Sequence, residues 1–221
     1  TNKMIRNIIG QSDSAFNFRK TMDEQKILLI NLSKGKIGEE NSNFLGLVLV
    51  PKILVAAMSR QDIPMDQRKD FFLYVDEFQN FATPDFAQIL SEARKYRLNL
   101  IVANQFIGQM DEEIKNAIFG NVGTIASFRV GVTDANYLQH EFQPVFNEND
   151  LINVDRFNAY MRTLIGGEPA LPFSLDTTKD VEKEKAMRNE RVAELIRELS
   201  RLKYGKAVDV VEAEIAQRAK L

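Results

Sequence analysis

The chain has 221 residues, 44% of them apolar and 27% charged, with a formal net charge of −2. That length suits one sizeable core or a domain with an appendage, and that charge excludes a uniformly basic nucleic-acid binder while leaving local patches open. Cysteine is absent and His140 is the single histidine, which excludes disulfides, thiolate metal centres and histidine-rich metal sites.

KILLIN, Lys26 to Asn31, is a short β-branched run that predicts a buried strand. A polar loop, SKGKIGEENS, follows. Asn43 to Arg60 reads as a helix with apolar residues on most faces, so it is expected to be well buried. Its run FLGLVLVPKILVAAM is broken by Pro51 and Lys52 and stays shorter than the roughly 20 apolar residues of a membrane span. QDIPMDQRKD is a surface loop by its proline and charges. FFLYVD is the second strand. Thr83 and Pro84 suit the cap and first turn of a helix running to about Arg97. LNLIVAN is the third strand, Ile107 to Phe119 a helix, and GTIASFRVG the fourth strand. Strands alternating with helices imply an α/β fold, with a mostly parallel sheet covered by helices on both faces.

Beyond Val132 the pattern weakens. Asp134 to Phe142 reads as a helix, Asn147 to Asn153 as a short helix or turn, and AYMRTLI with ALPFSL as a closing strand pair around Gly166 and Gly167. From Thr178 the composition becomes charge-rich. Val192, Leu195, Ile196, Leu199 and Leu202 form an apolar stripe on one helix, and Asp209 to Lys220 forms another after a break at Gly205. The expected division is a main domain over 1–176 and an amphipathic helical tail over 177–221.

The candidate site is the acidic pair that ends the second strand, Asp76 and Glu77. Ligands of parallel sheets bind at the carboxyl edge of the strands. An aspartate there can hold magnesium, and a glutamate one residue later can orient water toward a γ-phosphate. The same pair would also serve as a turn cap. Gln105 ends the next strand, where its amide would lie beside Glu77 and could bond both water and phosphate oxygen, or simply complete a turn. Arg94, in SEARKYR, either offsets a helix dipole or reaches a nucleotide on a neighbouring subunit.

KILLINLSKGKIGEENS, LYVDEFQNF, LSEARKYRLNLIVANQ and FGNVGTIASFRVG resemble conjugative-transfer ATPases of the TraG/TraD coupling-protein type and related type IV secretion ATPases. These are ring-forming P-loop motors similar in fold to the FtsK/HerA DNA-pumping ATPases. The resemblance covers about Arg6 to Phe173. It implies a RecA-like P-loop NTPase core using ATP and Mg2+, with Asp76 serving the metal, Glu77 as catalytic base, Gln105 as sensor and Arg94 as arginine finger. Arg129, in FRVG, matches a further arginine with a sensor or trans-acting role. It also implies a homo-oligomeric ring, a hexamer, that works with a type IV secretion apparatus on DNA. Its place is in the cytoplasm at the inner face of the cell membrane, with any anchor outside these residues. A pilus-assembly or secretion ATPase that pumps no DNA, and a non-catalytic half-domain docked on a ring, are the alternatives.

No GxxxxGK[ST] phosphate loop occurs. In the family that loop follows a central strand between the sensor strand and the strand matching GTIASFRVG. The expectation is therefore a core lacking that strand, the C-terminal piece of a longer protein, inactive alone. Lys34 and Lys36 read as a solvated loop, His140 as a structural residue, and Arg201, Lys203 and Lys206 as a small basic patch. Tyr96, between Lys95 and Arg97, is the single short candidate for base stacking. No nucleic-acid-binding residue is assigned.

Overall fold

A computed structural model describes residues 2–83, 86, 90 and 92–219. Its helices are α1 (Lys3–Ile9), α2 (Phe18–Asp23), α3 (Lys34–Ile37), α4 (Glu39–Met58), α5 (Glu112–Asn121), α6 (Val132–Phe142), α7 (Glu148–Ile152), α8 (Val181–Met187), α9 (Glu190–Tyr204) and α10 (Val208–Ala219). The strands are β1 (Phe71–Val75), β2 (Leu98–Val102), β3 (Ile125–Ser127), β4 (Asn158–Arg162), β5 (Leu164–Ile165), β6 (Glu168–Pro169) and β7 (Phe173–Asp176). Contacts divide the chain into two compact units, residues 46–180 and residues 1–45 with 181–221.

In the unit 46–180, β1 and β2 pair in parallel, with Phe71 opposite Leu98 and Val75 opposite Val102. Phe71, Leu73 and Val75 turn to one face, as a period of two demands. The other face is open. Phe72 is exposed and Tyr74 is 72% exposed, so among the described residues the expected cover of helices on both faces is not observed. The GTIASFRVG strand does not pair with β2, from which the expected core separates it by the absent central strand. As β3 it pairs antiparallel with β4, and β4 pairs antiparallel with β7. The single, mostly parallel sheet is thus corrected to a parallel pair and a separate antiparallel three-stranded sheet. Alternating strands and helices fix neither a strand's partner nor its direction when the later strands can fold back on it. The closing hairpin is as expected: β5 and β6 flank Gly166 and Gly167, both at positive φ, the geometry of a two-residue hairpin turn.

One core cluster of this unit gathers around α6. Ala135, Leu138 and Phe142 pack with Ile107 and Leu151, and the Phe146 and Tyr160 rings stack at 3.8 Å. Asn147 and Asp150 close a reciprocal capping box on α7. His140 is exposed on α6, away from the core.

The helix α4 begins four residues earlier than expected and carries Pro51 within it. Leu54 and Ala57 are buried while Leu47 and Val55 are exposed, so it is less enclosed than its composition suggests. By length and composition alone, Glu39–Asp62 is long and apolar enough to cross a membrane, and 39% of its apolar window is buried. Gly46 lets the Phe81 ring lie against it; a Cβ there would come within 2.1 Å of that ring.

In the other unit, KILLIN is not a strand. Residues 26–31 pair with no strand among the described residues, and Ile27 is 90% exposed. A β-branched run becomes a strand only when a neighbour accepts its backbone hydrogen bonds. Lys34 pairs with Glu39 at 2.8 Å. Glu212 on α10 meets Lys3 at 2.9 Å and Asn7 at 3.0 Å on α1, and these contacts hold its carboxyl below the ordinary range.

Candidate active site

Asp76 and Glu77 leave the carboxyl end of β1, as the strand pattern predicts. The ladder continues briefly past the strand: Ala103 N–H donates to Val75 O and Phe78 N–H to Ala103 O, both at 2.9 Å. Phe78 is fully buried and packs against Phe86 with ring centroids 4.7 Å apart. Glu77 sits between the strand and this anchored ring, and its backbone is left-handed at φ 51° and ψ 44°. A non-glycine residue held there is strained, and the buried Phe78 and the continued ladder impose the strain.

The Glu77 side chain is gripped twice. Gln105 Nε2 donates to Oε1 at 2.5 Å, and Gln79 Nε2 donates to Oε2 at 2.6 Å. The carboxylate plane is therefore fixed by two amides. Asp76 is exposed, and its Oδ1 accepts the Glu77 N–H at 3.0 Å. The Glu77–Gln105 neighbourhood expected from two adjacent strand ends is thus present. Gln79 was not singled out in the sequence; its signal is position, two residues after the glutamate in EFQN.

Gln105 also borders a cavity of about 440 Å³, whose far wall includes β3 and Arg129. Val102 and Asn104 lie on its near wall and Ile125, Ala126 and Ser127 on the other, so the cavity separates β2 from β3. Arg129 is exposed just beyond β3. Asp134, buried at the start of α6, also borders this cavity, and its Oδ2 accepts the Ile107 N–H at 3.0 Å. It ties the segment after Gln105 to α6. Asp134→Ala is expected to destabilise the protein by about 1–3 kcal/mol, because it strands that buried N–H. Asp134→Asn should recover most of the loss in thermal melts.

Arg94 is elsewhere. It lies exposed in the 3-10 turn Ala93–Tyr96 and does not border the cavity. Most of the expected helix before it, at Pro84, Asp85, 87–89 and Ser91, lies outside the described residues. The turn itself is held by two arginines, Arg60 at the end of the expected buried helix and Arg68 in the expected surface loop. Arg60 is fully buried and donates to Tyr96 O at 3.1 Å and Lys69 O at 2.6 Å. Arg68 donates to Arg60 O at 3.0 Å, to Ile63 O at 2.8 Å and to Lys95 O. Tyr96 is engaged too: the Arg68 guanidinium lies 5.5 Å from its ring centroid. Of the basic patch in the tail, Lys206 is paired with Glu214 at 2.5 Å.

Residues 70–140 match the family model described as the TraM recognition site of TraD and TraG. The matched stretch is about a third of the chain and contains Asp76, Glu77, Arg94, Gln105 and Arg129. No curated protein matches the sequence. Among solved structures, the chain is similar to the plasmid coupling protein TrwB in complex with the non-hydrolysable GTP analogue GDPNP, at 14% identity and a TM-score of 0.48, over 63% of this chain and 39% of that one. It is similar to the unbound monoclinic form of the bacterial conjugative coupling protein TrwBdeltaN70 at 17% identity and 0.48, over 63% and 39%. It is also similar to TrwB with the ATP analogue ADPNP at 15% identity and 0.47, over 63% and 38%. The chain spans about two-fifths of the length of those coupling proteins.

Proposed function

We propose that the chain is part of an ATP-hydrolysing motor subunit of a conjugative DNA-transfer, type IV secretion machine. One observation carries this reading: Glu77, strained and clamped by Gln105, at the carboxyl edge of two parallel strands inside a TraD/TraG-type segment. In this role the Glu77 carboxylate orients an attacking water and takes up its proton, after releasing one of its two amides. Gln105 couples that release to whatever fills the cavity it borders. Arg129 supplies positive charge from the opposite wall, and the exposed Arg94 reaches a neighbouring subunit of a hexameric ring.

Asp76 fits a magnesium ligand. Its Oδ1 is held by the Glu77 N–H, and its Oδ2 has no partner among the described residues. No cluster of three or more acidic or histidine side chains surrounds it among the described residues, so its partners would be water and phosphate oxygens, as suits magnesium. Bound ATP and Mg2+ would supply the phosphoryl group and neutralise its charge.

The phosphate loop is not in these 221 residues. A cavity lined by residues of both β2 and β3 supports the reading of a core that lacks one strand. The family description supports a TraM-type protein as a partner; the inner face of the cell membrane is our proposal for where the motor works.

The test is ATP turnover by the full-length protein with and without DNA. Stimulation by DNA is the expected result, and the 221-residue chain alone should turn over no ATP. Turnover without DNA stimulation would favour a secretion ATPase that pumps no DNA. No turnover in the full-length protein would leave the docked, non-catalytic half-domain.

A further inference from the structure

We propose that α9 is a pairing helix, which joins a second copy of this chain through a short parallel two-stranded coiled coil. The observation is an apolar stripe that no described residue covers. Val192, Leu195, Ile196, Leu199 and Leu202 are 46–75% exposed, and α9 buries no residue. The helix is well specified without a partner surface: the Asn189 side chain accepts the Val192 N–H, Arg201 and Lys203 lie in its last turn, and Gly205 stops it. Such a helix is built to keep its shape, yet its apolar face stays in water.

The spacing says what covers it. Val192, Leu195, Leu199 and Leu202 repeat at three and four residues, the a and d positions of two heptads. Valine at an a position with leucine at both d positions suits two strands. Ile196 at an e position widens the seam.

The charges say who covers it. In parallel pairing, a g residue faces the e residue five positions on in the other helix. Here that places Glu198 against Lys203 of the second copy, and two-fold symmetry repeats the pair. Within the chain neither has an ion-pair partner among the described residues; Lys203 lies over the Tyr204 ring at 5.3 Å. A partner of a single charge sign would not match this surface. The polar face carries Glu190, Arg191, Glu194, Arg197, Glu198, Arg201 and Lys203, both signs interspersed. Helices that lie on membranes carry a polar face dominated by lysine and arginine, which this one lacks.

Sedimentation of the 221-residue chain over a concentration series tests this. Reversible dimerisation is expected. Leu199→Glu should abolish it while circular dichroism keeps the helical signal. Glu198→Lys should weaken it about tenfold by setting like charges together, and adding Lys203→Glu should restore it. Orientation is read separately, because the chain has no cysteine of its own. Leu202→Cys should form a disulfide dimer under oxidation, since parallel pairing sets the two Leu202 positions side by side. A chain that stays monomeric overturns the proposal, as does dimerisation that survives Leu199→Glu. Dimers without the Leu202→Cys cross-link overturn the parallel register, and flotation with liposomes in place of dimers assigns the stripe to lipid.

Discussion

Glu77→Gln in the full-length protein is expected to lower ATP turnover by about 10²- to 10⁴-fold, the range contributed by a positioned general base. The substitution keeps shape and removes the proton acceptor. Its structural consequence can be worked out from the two bonds Glu77 makes. Both neighbours, Gln105 and Gln79, present amide N–H groups to carboxylate oxygens. A glutamine at 77 offers one oxygen and one NH2, so one neighbour would meet donor against donor. Gln79 can resolve this, because its Oε1 is buried with no hydrogen-bond partner among the described residues. Turning that amide over gives the new NH2 an acceptor. The fold should therefore survive with little change in thermal midpoint, while turnover falls and nucleotide binding persists. A variant with unchanged turnover would remove Glu77 from the catalytic role. One that melts many degrees lower would show that the carboxylate is mainly structural.

The left-handed backbone at Glu77 gives a second handle on the same site. The strain exists because Phe78 must reach the core immediately after the strand ends. That fixes where the Glu77 side chain leaves the backbone, within reach of Gln105. A site of this construction keeps its base oriented before any ligand arrives.

The sequence was most legible where one strand or helix reports on itself. The alternation in FFLYV and LNLIV, the Gly166–Gly167 turn and the Asn147 cap all follow from residues within a few positions of one another. Glu77 and Gln105 could be placed side by side because two parallel strands that start level also end level. What escaped was set by partners far along the chain. KILLIN has strand composition but no neighbour to bond. GTIAS found its neighbour in β4, a strand read only as part of a closing pair. Arg60 ended the expected apolar helix just before a proline-containing loop, and nothing local marks an arginine there for complete burial. Gln79 was hidden by a more general difficulty: an amide beside a carboxylate in sequence faces it only if the turn between them is tight.

Arg60→Met should cost about 3–5 kcal/mol of stability, through carbonyl groups left without donors in the interior. The acceptors explain why the effect should be large. Lys69 O and Tyr96 O stand just before β1 and β2, so one guanidinium closes the amino ends of both strands. Phe71 N–H donates to Arg97 O at 2.9 Å in the same place. Arg68 adds its own bonds to Arg60 O and Lys95 O. The amino edge of the parallel pair is thus a clamp, and the carboxyl edge carries Glu77 and Gln105. If the clamp opens, the register that sets Val75 beside Val102 loosens, and with it the distance between the two side chains of the site. Methionine fills much of the volume but donates nothing. Lysine restores the charge, yet a single ammonium cannot reproduce the planar fork that spans two carbonyls, so Arg60→Lys should recover only part of the loss. Denaturant unfolding followed by hydrogen exchange at the β1 and β2 amides would measure this locally, which matters in a chain of two units. Protection in β1 and β2 should fall before that in α6. A loss under 1 kcal/mol, or equal loosening throughout, would mean that the clamp is not what keeps these strands in register.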